Sequence, residues 1–109
     1  MVANQIVNLD SVFNAMASST RRKILVQLAQ EELTVQDLAY KNKISKQAVS
    51  KQVTILVKSG LIKQRKSGRQ KYCRLDPEPL GKFRKYLDQL DTYWAEKLKS
   101  LKKKIEGTL

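Results

Sequence analysis

The stretch from Ser45 to Gly60, S-K-Q-A-V-S-K-Q-V-T-I-L-V-K-S-G, constrains the fold of this chain more than any other. Ala48, Val49, Val53, Leu56 and Val57 recur at spacings of three and four, which draws one apolar stripe along a helix over about 45–59. Ser45 stands where an N-cap belongs, and Gly60 follows Ser59 as the helix-ending residue. Lys46, Gln47, Ser50, Lys51, Thr54 and Lys58 fall on the other side, a face of hydrogen-bonding groups and positive charge without a carboxylate. A helix of this kind suits the major groove of DNA, where amides and hydroxyls reach base edges while lysines meet phosphates. An amphipathic surface helix has the same stripe, so the flanking sequence has to decide.

Charge is the first flanking signal. The 109 residues suffice for one domain with a real core, and they carry a net charge of +12. No acid occurs between Asp37 and Asp76, whereas Lys41, Lys43, Lys46, Lys51, Lys58, Lys63, Arg65, Lys66, Arg69, Lys71 and Arg74 do. A one-sign block this long implies a polyanionic partner. A membrane surface would want bulky exposed apolar residues beside the lysines, and this block interleaves polar ones, so no membrane is expected. With neither a signal-like segment nor a long apolar run, a cytoplasmic protein is expected.

The order of elements is the second signal. Met1 to Asn8 is read as a loose arm or a first helical turn, and Asp10 as the cap of a short helix through Val12, Phe13 and Met16. Ser18-Ser19-Thr20 offers caps for a second helix carrying Ile24, Leu25 and Leu28. Arg21, Arg22 and Lys23 sit in its first turn, against the helix dipole, at a cost of ~0.3–1 kcal/mol each when exposed. A phosphate, a carboxylate or plain solvent would each accommodate them. Thr34-Val35-Gln36-Asp37 resembles a capping box and opens a short helix with Leu38 and Ala39. Lys41-Asn42-Lys43 is read as the turn before Ser45. Two short helices so joined, the second with a polar outer face, make a helix-turn-helix.

After Gly60 the period becomes two. Residues 61–65 and 70–75 read as strands around a Lys66-Ser67-Gly68-Arg69 turn. This hairpin, over about 61–75, is the wing of a winged helix, with Arg65, Lys66, Arg69 and Lys71 placed to track phosphates or enter a minor groove. Asp76-Pro77-Glu78-Pro79 is read as a rigid break. Leu80, Phe83, Leu87, Leu90, Trp94, Leu98, Leu101 and Ile105 then form a stripe on a helix over about 79–105, too long to bury on the small preceding domain. Its expected partner is the same helix of a second subunit, giving a homodimer; the alternative is folding back on its own domain. Lys97, Lys99, Lys102, Lys103 and Lys104 are read as a solvated face. The fold expected is mainly α with a small β-hairpin (α+β), a winged helix-turn-helix in a single domain over 1–109 with a long C-terminal dimerisation helix.

Five blocks, in order, carry a resemblance to the ArsR-type (arsenic-resistance-operon repressor) family over nearly the whole chain. Ser19-Thr20-Arg21-Arg22-Lys23-Ile24-Leu25 is similar to the family's P-T-R-R-x-I-L, with Ser19 in the proline place. Thr34 to Ala39 is similar to V-x-D-L-A. Ser45 to Leu61 is similar to S-Q-x-A-V-S-x-H-L-x-x-L-x-x-A-G-L, with Gln52 for histidine and Val53 for leucine. Gly68 to Tyr72 is similar to the G-R-x-x-Y of the family's wing, and Leu75-Asp76-Pro77 to the family's residues just past the wing. The resemblance implies a homodimeric repressor on an inverted-repeat operator, with Ser45, Gln47, Ser50 and Lys51 facing the groove and Arg69 working from the wing.

The departures concern sensing. Metal-binding members place cysteines where this chain has Thr34 and Gln36, or histidines on the last helix, and this chain has no histidine and one cysteine. No soft-metal site and no cofactor is expected. Asp88 and Asp91 share a face of the last helix and are read as solvated. Cys73 is read either as a buried packing residue or as a redox-active thiol beside Lys71 and Arg74. The effector, whether small molecule or redox, is not specified by any motif. Without histidine, a phosphate-binding glycine loop or a nucleophile–base pair, no enzyme is expected. The function expected is sequence-specific transcriptional regulation, most simply repression, on double-stranded DNA. A non-sequence-specific architectural DNA-binding protein and a protein-interaction winged helix are the alternatives.

Overall fold

A computed structural model of the chain describes residues 2–108, with side chains over 9–107. Its elements run α1 (Val2–Met16), α2 (Ser19–Gln30), β1 (Leu33–Thr34), α3 (Val35–Asn42), α4 (Lys46–Lys58), β2 (Ile62–Ser67), β3 (Gln70–Leu75) and α5 (Pro77–Thr108). Helix α1 begins well before Asp10, so Asp10 lies mid-helix and exposed and does not cap. Met1, in the expected arm, lies outside the described residues.

Helix α2 is capped by Ser18, whose side chain accepts from the Arg21 amide at 3.3 Å. Two of the cations of its first turn are met by backbone carbonyls. Arg21 and Arg22 reach back to the last carbonyls of α1: Arg21 Nε donates to Ala15 O at 2.9 Å, Arg21 Nη2 to Asn14 O at 2.8 Å, and Arg22 Nη1 to Met16 O at 2.7 Å. Charges badly placed for one dipole are thereby well placed for the negative end of another.

The capping box is complete. The Asp37 amide donates to Thr34 Oγ1 and the Thr34 amide to Asp37 Oδ2, both at 3.0 Å. Helix α3 runs through Asn42, two residues further than expected, and ends on Lys43 in the left-handed region (φ 56°). Ser45 caps α4, accepting from the Ala48 amide at 3.1 Å, and Gly60 takes φ +82° beyond it. Val49, Val53 and Leu56 of α4 are buried, whereas Val57, expected on the same stripe, is 37% exposed.

The sheet is antiparallel in the order β1-β3-β2. The short β1 has no periodic signal in the sequence: Leu33 pairs with Cys73 and Thr34 with Tyr72. Strand β2 extends to Ser67, which pairs with Gln70, so the loop is Gly68-Arg69 alone and Lys66 belongs to the ladder. Gly68 at φ +62° supplies the positive φ that a two-residue hairpin loop needs at its first position. The prolines do not break the chain. Pro77 opens α5, where a missing N–H costs nothing, and Asp76 Oδ1 accepts from the Glu78 amide at 3.1 Å.

One core joins all elements but the far part of α5. Val12 and Ala15, Ile24, Leu25 and Leu28, Leu33, Leu38 and Ala39, the α4 residues, Leu61, Ile62 and Cys73 are buried together. At ~1.5–3 kcal/mol for each fully buried large aliphatic side chain, this cluster holds α4 and the hairpin in fixed relation.

Candidate nucleic-acid interface

Burying Val49, Val53 and Leu56 turns the opposite side of α4 outward. Ser45, Lys46, Gln47, Ser50, Lys51 and Thr54 are all exposed. Thr54 Oγ1 donates to Ser50 O at 2.8 Å, which leaves the hydroxyl oxygen as an acceptor. No acid occurs on α4, and its lysines pair with no carboxylate among the described residues.

The hairpin divides its cations into two groups. Lys66 stands directly opposite Lys71, with Arg69 in the loop between them. None of the three has a carboxylate partner among the described residues. Like charges opposed across a ladder are unfavourable by themselves, and a polyanion relieves them. Nearer the sheet, Arg65 is already engaged. Its Nη2 meets Glu32 Oε1 at 2.6 Å, and its guanidinium lies 4.5 Å from the ring centroid of its cross-strand partner Tyr72. The hydrogen bond from Arg65 holds the Glu32 carboxyl below its ordinary value. Arg65 thus braces the base of the hairpin, and Glu32 is a residue that sequence reasoning missed. Lys63 similarly meets Asp76 at 3.5 Å.

A second missed pair joins α2 to α4. Arg21 Nη1 donates to Gln52 Oε1 at 2.8 Å while the rest of its guanidinium holds the end of α1. The misfit of Arg21 with its own helix dipole was the available signal, but its partner could not be named from spacing.

Cys73 is completely buried opposite Gln64, whose Nε2 donates to its Sγ at 3.5 Å. Burial pushes the thiol up from its ordinary value, against thiolate formation. The geometry is that of the packing residue and lacks the exposure that the redox-active alternative needs. No cluster of three or more His, Cys, Asp or Glu capable of holding a metal occurs among the described residues, and Asp88 and Asp91 are exposed.

The stripe expected to face a second subunit divides in two. Leu80 and Phe83 are half-buried against this chain's own core, where Phe83 and Tyr86 flank Phe13. Leu90 is half-buried, whereas Leu87, Trp94, Leu98, Leu101 and Ile105 are 43–63% exposed. The reason is length: the 32 residues of α5 span about 48 Å, and only its first turns lie over the domain. Where α1, the end of α4 and the start of α5 meet, Val12, Val57, Pro79, Phe83 and Tyr86 line a shallow groove edged by Lys58, Lys82 and Lys85.

Residues 18–64 match the family described as bacterial regulatory protein, arsR family. The chain is 36% identical over 91 residues to a transcriptional repressor SmtB homolog of Synechocystis sp., covering 83% of this chain and 69% of that protein. Among solved structures, an ArsR-like transcriptional regulator from Rhodococcus sp. RHA1 superposes with a TM-score of 0.78 at 29% identity, covering 92% of this chain and 94% of the other. The homodimeric winged helix-turn-helix DNA-binding domain of Mb0332 from Mycobacterium bovis has a TM-score of 0.64 at 23% identity, covering 87% of this chain and 86% of its own, a likeness of fold.

Proposed function

The chain belongs to the arsR family of bacterial regulatory proteins, and on that premise we propose that it represses transcription as a homodimer bound to an inverted-repeat operator. The observation that carries this reading is the outer face of α4: exposed, polar, basic and without a carboxylate, on a helix whose opposite side is locked into the core. Ser45, Gln47, Ser50 and Thr54 read base edges, and Lys46 and Lys51 meet phosphates. Lys66, Arg69 and Lys71 extend the contact from the wing. Pure coating of DNA would need only cations, so uncharged hydrogen-bonding groups at the centre of this face favour sequence reading over the architectural alternative.

Dimerisation follows from the exposed stripe Leu87, Trp94, Leu98 and Leu101, which a second copy of α5 covers. Two-fold symmetry then sets the half-sites about 34–36 Å apart, one helical turn of DNA. Repression is by occlusion of the promoter. The test is titration of the protein against a duplex carrying its preferred repeat and against a scrambled duplex, each from 50 to 200 mM salt. With on the order of six to ten phosphates met, log K falls against log salt with a slope near −5 to −9 for both, offset in favour of the repeat. Equal curves would replace the reading with the architectural one. Absence of binding to either duplex would move it to a protein partner.

A further inference from the structure

We propose that Arg21 is a positioning residue for DNA recognition, holding α4 at a fixed pitch relative to α1 through its bond to Gln52. This rests on the reading of α4 as the DNA-contacting helix. Arg21 belongs to α2, yet its three described side-chain bonds leave α2 altogether: two go to the last carbonyls of α1 and one to Gln52 on α4. A guanidinium is a planar fork with fixed donor directions, so three simultaneous acceptors define the relation between the elements that carry them. Gln52 is half-buried, between the core residue Val53 and the outward-facing Lys51. It sits at the border of the interface, where a small rotation of α4 would move Gln47, Ser50 and Lys51 together.

The residue type at position 52 supports the assignment. A cation beside a half-buried acceptor ordinarily attracts a carboxylate, and Asp or Glu would bond Arg21 more strongly. An amide gives the acceptor without placing a negative charge beside phosphates. Gln52 thus satisfies Arg21 and keeps α4 free of acids, as suits the border of a DNA-binding face.

The test compares wild-type protein with Gln52→Met, which removes the acceptor, Gln52→Glu, which keeps it, and Arg21→Lys, whose single nitrogen replaces the three that each meet a separate acceptor. The readout is the ratio of affinities for the preferred repeat and a scrambled duplex at fixed salt, with thermal unfolding followed alongside. Gln52→Met and Arg21→Lys should each lower the ratio on the order of tenfold, the size expected from losing one hydrogen bond to a charged group. Gln52→Glu should keep the ratio while weakening both duplexes together. An unchanged ratio in Gln52→Met and Arg21→Lys would overturn the proposal. So would an equal fall in Gln52→Met and Gln52→Glu, since Gln52 would then touch a base itself. If wild-type protein prefers no sequence, the underlying reading of α4 fails instead, and the two failures are distinct.

Discussion

Phe83 of α5 meets Phe13 of α1 edge to face, with ring centroids 4.9 Å apart and planes at 75°. Tyr86 approaches the same ring from the next turn at 5.9 Å. These contacts, with Leu80 on the core, fasten the start of α5 to its own domain. Removing the shared ring by Phe13→Ala should destabilise the fold by about 1–2 kcal/mol, a modest figure because Phe13 is itself 42% exposed. Urea unfolding monitored by circular dichroism measures it. An effect below a few tenths would mean that α5 is held otherwise.

Farther along α5, Trp94 is the single tryptophan of the chain and is 58% exposed in one subunit. If a second copy covers this face, Trp94→Asp should raise the dimer dissociation constant at least a hundredfold, reflecting a buried charge in place of a central aromatic residue. Sedimentation across a concentration series reads this directly. In the wild-type protein, Trp94 emission should shift to the blue as the dimer forms. An unshifted spectrum would place the contact elsewhere.

Cys73 should react slowly with a thiol reagent in the native protein and rapidly once unfolded, because its side chain is fully buried. Its folded thiol is raised above the unfolded one by burial, and the sign follows. The native state keeps its proton where the unfolded state has lost it, so this contribution is complete below the unfolded thiol pKa of about 8.5 and declines as pH rises above it. Cys73→Ala should flatten that decline at pH above about 8.5. An identical alkaline profile in wild type and variant would contradict the assignment.

Gln47→Ala and Lys66→Ala should fail in different ways. Loss of Gln47 should relax preference at one base pair, by roughly 1–3 kcal/mol of discrimination. Loss of Lys66 should weaken all sequences alike and reduce the salt slope by about one. Binding to a set of single-substituted duplexes over a salt series separates the two. A shared pattern would mean that helix and wing contact the backbone equally.

Much of this architecture was legible because local chemistry and global pattern agree. Thr34 and Asp37 form the capping box their spacing implies, Ser45 caps α4, and the change from period four to period two falls at Gly60. What escaped depends on residues distant in sequence. Strand β1 is two residues long, too short for periodicity, and exists because Leu33 and Thr34 find Cys73 and Tyr72 some forty positions on. The partner of Arg65 escaped for the same reason, because Glu32 lies in the loop before β1, some thirty positions away. Pro77 and Pro79 suggested a break because proline ends helices from within, whereas here both lie in a first turn.

The most direct measurement is selection of bound sequences from a random duplex pool at about 150 mM salt, where non-specific phosphate binding is already weakened. Enrichment of an inverted repeat, its half-sites centred about one helical turn apart, is the expected result. Strong retention of DNA with no enriched motif would contradict it and leave a protein that coats DNA without reading it.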